Sequence, residues 1–391
     1  MQFDHLRHPR VYHFDETLRR HREEFIPLAK ALHRTDPLAD AAVSAMADIP
    51  TRERMAIIDA AIRGDEAPAP GPPAALEELI EEAHQVPRWV DWSRLERGAA
   101  VLMRTGILGG ITLGAKSLIE GYCAPAGNKP LAMSGRLQDQ AAMRLNETAR
   151  FVEAVGSPRG MRPGQPGFTI TLKVRLMHAS VRQLIWQSGR WRSDLWALPI
   201  NQHDMVATIH LFSTSFLEGV QHLGMRLSPS DQEDFLHLWR YVGYVIGVDE
   251  DLLPRTMPEA HLQWSIIGAT QGPPDDDSRA LAMALLENPL HEATTDEERA
   301  RARKHVAFAK AICRSLLKEE HADALGLPKG GWGVLPPLVT RTIRSLDRIR
   351  RIGFVEPWLE KQGRRYWNHT VAIGSRGRPI RFDLATELAR Q

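Results

Sequence analysis

Apolar residues recur with helical period along most of this chain. Residues 14–63 read as helices with a charged outer face. Gly64 to Ala75 carries Pro68, Pro70, Pro72 and Pro73 and reads as a linker. Beyond it the pattern predicts helices at 75–84, at 92–122 as one long apolar helix or a broken pair, and at 134–156, 169–188 and 200–224. Ser228-Pro229-Ser230-Asp231 places a capping serine before a proline at the first helical position, which starts a helix running to about Gly247. Further helices are expected at 278–287, 295–323 and 336–352. Thr370 to Asp383 alternates apolar and polar residues around Ser375-Arg376-Gly377-Arg378-Pro379, which predicts a small hairpin. The fold class is therefore all-α, with helices crossing around one core. It divides into an N-terminal helical extension and linker (1–74), a main core (75–335) and a basic C-terminal helix with hairpin (336–391).

The predicted helix 169–188 contains an unusual stripe. Arg175, His178 and Arg182 stand at i, i+3 and i+7, so they project from one side. Their neighbours Leu172, Leu176, Val181, Leu184 and Ile185 are apolar. Unpaired charges rarely enter such a setting, so something anionic should meet the arginines. A haem would suit the arrangement, with an imidazole nitrogen for iron and guanidiniums for the propionates. A satisfied core histidine remains the plain alternative. Helix 134–156 adds Arg144, Glu147, Thr148 and Phe151 on a second shared face. Opposite a haem, Arg144 could donate to dioxygen, Thr148 could hydrogen-bond it, and Glu147 could reach the iron or move protons. The competing reading is an Arg144–Glu147 ion pair on a solvated face, which contributes only a few tenths of a kcal/mol, roughly.

Composition narrows the function classes. Apolar content of 43% and charged content of 25% are those of a soluble globular protein, and a net charge of +2 gives no sign of a nucleic-acid partner. The clean apolar run Thr105 to Ala115 is too short to cross a bilayer, so stable membrane insertion is not expected. The charged N-terminus has no apolar signal region, and the expected location is cytoplasmic. Cys123 and Cys313 form no CxxC pair and read as reduced thiols. Without a CxxCH site, any haem is non-covalent. Nucleotide-loop and serine-hydrolase motifs are absent. His203, His210 and His321 lack metal-ligand spacing and read as structural. Residues 341–391 hold 12 Lys/Arg against 5 Asp/Glu, which reads as a solvated basic face or, more sharply, as a lid or docking surface.

An ordered set of motifs then resembles a known family. Arg144-x-x-x-Thr148 is followed by Arg175-Leu-Met-His178-Ala-x-Val-Arg182, Leu198-Pro-Ile-Asn-Gln-x-Asp204-Met and Leu238-Trp-Arg-Tyr-Val-Gly-x-x-x-Gly247-Val. Across residues 85–330 the chain is similar to the oxygenase MpaB and latex-clearing (rubber oxygenase) family. The resemblance implies a globin-like helical core that binds one haem b. It implies His178 as proximal ligand to the iron, with Arg144 and Thr148 on the distal side. Latex-clearing proteins carry a lysine directly before that threonine, where this chain has Glu147. They also use an upstream glutamate as a base, and ungapped counting lands on Asn128. Latex-clearing proteins are typically secreted, unlike the location expected here.

The leading expectation is a haem b oxygenase or oxidase acting with dioxygen on a small organic substrate. His178 would be the metal ligand, Arg175 and Arg182 the propionate partners, and Arg144, Glu147 and Thr148 the catalytic groups. The alternatives are a non-catalytic haem protein, such as a gas sensor or haem carrier, and a helical scaffold with no cofactor.

Overall fold

The computed structural model describes residues 3–133, 137–330, 335–346 and 355–375, with 380, 382–385 and 388 near the C-terminus. The regular elements among these residues are helices, as the periodicity predicts. The extension forms α1 (Phe14–Arg20), α2 (Arg22–Ala31), α3 (Pro37–Ala45) and α4 (Thr51–Arg63). Gly64, in the left-handed region at φ 71°, ends α4. After the proline-rich linker come α5 (Ala74–His84) and α6 (Trp92–Thr112). Asp91 starts α6 by accepting from the backbone N–H groups of Ser93 at 2.8 Å and Arg94 at 3.3 Å. Gly106, at φ 49° and ψ −127°, breaks α6 internally. A π-helical turn, Leu113–Ser117, then leads into α7 (Leu118–Tyr122). The broken form of the 92–122 segment is thus the one adopted.

Next follow α8 (Lys129–Met133), α9 (Leu137–Val155), α10 (Pro166–Gln187) and the short α11 (Ser193–Trp196). The expected single helix 200–224 is two, α12 (Gln202–Phe212) and α13 (Thr214–His222), because Ser213 leaves helical geometry at ψ −83°. The Ser228 cap behaves as expected, forming a reciprocal capping box with Asp231 at the head of α14 (Pro229–Val245). The remaining helices are α15 (Met257–Ala269), α16 (Asp276–Glu292), α17 (Asp296–Leu316), α18 (Glu319–Ala324), α19 (Leu335–Leu346) and α20 (Val355–Ser375).

Further expectations are corrected. The sequence reading missed α15, which Thr256 caps ahead of a proline, and α20, and the helix expected at 295–323 is two, α17 and α18. The hairpin over Thr370–Asp383 is not formed: Thr370 to Ser375 are the last turns of α20, and no strand occurs among the described residues. Residues 376–379 and 381 of that stretch lie outside the described ones. The alternation there reflects a helix with one face against α6 and α9 and the other in solvent.

The core is built where α6 meets α14 and α20, and where α9 and α10 pack together. At its centre Trp239 stacks on Phe212 with ring centroids 5.0 Å apart, and Phe151 meets Trp239 edge-on at 6.0 Å. A smaller apolar cluster beneath α16 and α17 includes Ile119, Ile312 and both buried cysteines. Burial raises both thiols, Cys313 to about 12, so neither supplies a thiolate. The segment Trp92–Tyr122 is long and apolar enough to cross a membrane, but 61% of its most apolar window is buried inside the fold.

Arginines lock the extension to this core. Arg175 on α10 donates to Asp36 at 2.6 and 3.1 Å and to Glu82 at 2.8 Å. Arg175 and Asp36 are each 4% exposed. Arg182 donates to Asp40 at 2.7 Å and to the Ile200 carbonyl at 3.0 Å. Gly247 makes room for the first of these contacts: it sits at φ 92°, and a Cβ there would overlap the Asp36 carboxyl and Nε of Arg175. At the other end of the chain, α20 crosses α6 so closely that a Cβ on Gly363 would overlap the Met103 carbonyl oxygen.

Removing one partner from a buried ion pair strands the other charge. Asp36→Ala should therefore lower unfolding stability by about 3–5 kcal/mol in urea titrations. Arg299→Ala, which breaks an exposed pair with Asp296, should change it by less than about 1 kcal/mol. Gly363→Ala should cost about 1–3 kcal/mol by overpacking, read as a lowered Tm with the helical circular dichroism retained.

Candidate functional site

Pro166 at the first turn starts α10, and 22 residues carry the helix through the middle of the fold. His178 lies past its midpoint. Its ring is deeply enclosed, and burial, aided by Arg182, pushes the imidazole down to about 4. The side chain is neutral at physiological pH. Its Nδ1 is sealed from solvent with no hydrogen-bond partner among the described residues. Yet His178 retains some accessible surface, as do its apolar neighbours Val174, Met177 and Val181 at helical spacing. This face of α10 is thus partly exposed.

Arg175 and Arg182 do not share that availability. The anions expected to meet them are protein carboxylates, Asp36, Glu82 and Asp40, supplied by α3, its cap and α5. The charge-pairing that suggested them as propionate partners is already met inside the protein.

The second half of the site is on α9, which packs against α10. Arg144 does not form the solvated ion pair that its spacing allows. Its Nε and Nη1 are buried and have no hydrogen-bond partner among the described residues. Burial pushes the Glu147 carboxyl up to about 7, with Arg144 pulling it down and Asp383 pushing it up. Thr148 donates its hydroxyl proton to the Arg144 carbonyl at 2.8 Å, so its oxygen is left as an acceptor. Phe151 continues this face into the core, edge-on to Phe212 at 5.9 Å. Arg144 and Glu147 are thus brought together electrostatically, whereas His178 senses Arg182 and Asp36.

Sequence reasoning missed two neighbours of Arg144 and Glu147. Tyr122 at the end of α7 is partly buried, which raises its phenol, and it lies close enough to Arg144 to feel its charge. Asp383 comes from the C-terminal segment, where Phe382 and Leu384 are core residues and the Ala385 carbonyl accepts from Ser180 at 2.8 Å. No local pattern announces either residue, since both depend on long-range packing. Asn128 is a strut: its amide donates to the Tyr122 carbonyl at 2.8 Å and to Ser278 at 3.0 Å.

His203 and His210 serve structure, as expected. His210 is fixed between Thr214 at 2.9 Å and Gln263 at 2.7 Å. His203 meets the Leu28 carbonyl at 3.2 Å. No group of three metal-binding His, Cys, Asp or Glu side chains occurs among the described residues. The Asn-Gln-x-Asp motif is also architectural. Asn201 caps α12, Gln202 donates to the Thr35 and Gly247 carbonyls at 2.9 and 2.8 Å, and Asp204 is gripped by Arg10.

Residues 92–349, about two thirds of the chain, match the family described as ER-bound oxygenase mpaB/B'/Rubber oxygenase, catalytic domain. The rubber oxygenase of Streptomyces sp. (strain K30) is 30% identical over 203 residues, which cover 51% of this chain and 50% of that protein. The match thus spans half the length of that curated relative. A solved structure of latex clearing protein LCP in the closed state superposes with a TM-score of 0.69 at 25% identity, covering 91% of this chain and 95% of that one. The chain belongs to the mpaB and rubber oxygenase catalytic-domain family.

Proposed function

We propose that this protein is a haem b-dependent oxygenase acting with dioxygen on a small organic substrate. His178 would hold the haem iron in this reading, and Arg144, Glu147 and Thr148 would be the catalytic groups. The observation that carries it is a pair of buried polar groups without partners on adjoining helices: Nδ1 of His178 on α10, and Nε and Nη1 of Arg144 on α9. Folded interiors pair nearly all such groups, so unpaired ones point to a missing ligand. The donor set fits a haem. A neutral imidazole can ligate iron at physiological pH, and it faces a partly open, apolar surface of α10. Family membership and similarity to a rubber oxygenase support oxygenase chemistry.

When bound, the haem supplies the redox chemistry toward dioxygen. The chain's own groups do the rest. Arg144 presents two N–H donors toward negative charge, and burial strengthens that interaction. Glu147, near 7, holds a proton that it can release or take up around neutral pH. Thr148 offers a lone pair, its proton being held by the Arg144 carbonyl. These polar groups suit a smaller amphiphilic substrate at least as well as a rubber-like hydrocarbon.

Reconstitution with haemin should give a Soret band that His178→Ala loses or shifts; an unchanged spectrum in that variant would remove the ligand assignment. Oxygen uptake with candidate substrates separates an enzyme from a gas sensor or haem carrier. As a proton donor, Glu147 is loaded below about 7 and empties above it. Turnover should therefore fall as pH rises through that range. Glu147→Gln should keep the haem spectrum, lose this limb and slow turnover by about 10²-fold or more.

A further inference from the structure

A cavity of about 360 Å³ opens between α7, α12, α15 and α18. None of its walls belongs to α9 or α10, so it is separate from the site of Arg144 and His178. Its volume is that of a small-ligand pocket. One wall is apolar, formed by Trp264, Ile267 and Leu211 over the small residues Gly121, Ala124 and Ala207. Trp264 is fixed in advance. It stacks on His210 with centroids 5.7 Å apart, and that imidazole is held by Thr214 and Gln263.

The charges around this cavity are unequally satisfied. Its three acids are committed within the protein: Asp204 to Arg10 at 2.5 Å, Glu120 to Lys116 at 2.8 Å, and Glu218 to Lys116 and His261 at 3.5 Å each. Lys318 at the rim is exposed and has no acidic partner among the described residues. Beside it, the half-buried His321 completes this end of the cavity wall. An apolar floor, a rigid aromatic wall and a cation with no acidic partner among the described residues select one ligand chemistry.

We propose that this cavity binds an amphiphilic organic anion, its short apolar body against Trp264 and its carboxylate at Lys318. The site stands apart from the proposed oxygenase centre and does not depend on it.

Calorimetric titration of the full-length protein with octanoate and with octan-1-ol tests this. Octanoate should bind at least about tenfold more tightly than the uncharged alcohol, and Lys318→Glu should remove that preference. Gly268 lines the cavity, and a side chain added there meets no atom within 4 Å. Gly268→Leu should therefore fold normally and abolish octanoate binding. His178→Ala should leave octanoate binding intact. Equal affinity for acid and alcohol, undiminished binding in Gly268→Leu, or loss of binding in His178→Ala would each overturn the proposal.

Discussion

The buried guanidinium of Arg175 is the constraint around which this fold is arranged. Desolvating a cation at 4% exposure is tolerable only because Asp36 meets it with both carboxylate oxygens and Glu82 takes a third N–H. Asp36 also caps α3, accepting from the Ala39 backbone at 3.2 Å. One carboxylate thus starts a helix of the extension and neutralises the central helix of the core. Gly247 at the end of α14 is left without a side chain so that the pair can form. Arg182 repeats the arrangement with Asp40 two turns along α10. Together these contacts fix the rotation of α10, and hence the direction in which His178 points.

That arrangement explains which parts of the site were legible in the sequence. Helical spacing was enough to place Arg175, His178 and Arg182 on one side of a buried helix, and to infer that anions meet the arginines. The source of those anions was not legible, because Asp36 and Asp40 lie about 140 residues upstream in a segment that reads as a solvated appendage. The same limit hid Tyr122 and Asp383, which reach Arg144 and Glu147 from α7 and from the C-terminal segment. Local chemistry was read correctly where it is self-contained, as in the Ser228 cap followed by Pro229. It was misread at Thr370–Ser375, where a half-exposed helix end alternates over too few residues to declare its period.

The departures from the latex-clearing pattern fall on the α9 side of the site. Where those proteins carry a lysine, Glu147 places a carboxyl that burial keeps close to neutral pH. Asn128, at the position counted for their upstream base, holds the 122–128 loop to Ser278 instead. The α10 side follows the family motif, and so does the packing beneath it, with Trp239 at the centre of the aromatic core. The protein therefore combines a family-like α10 with an α9 surface of different acid–base character.

The close crossing of α20 over α6 has a practical corollary for handling this protein. The family match ends at residue 349, yet Gly363 and Trp367 of α20 are buried against the core. At the other border it begins at residue 92, downstream of Asp36, Asp40 and Glu82. A fragment cut to these boundaries would expose the seam of α6 and leave two arginines in the interior without counter-ions. The catalytic-domain match is shorter than the stretch of chain that these contacts tie together.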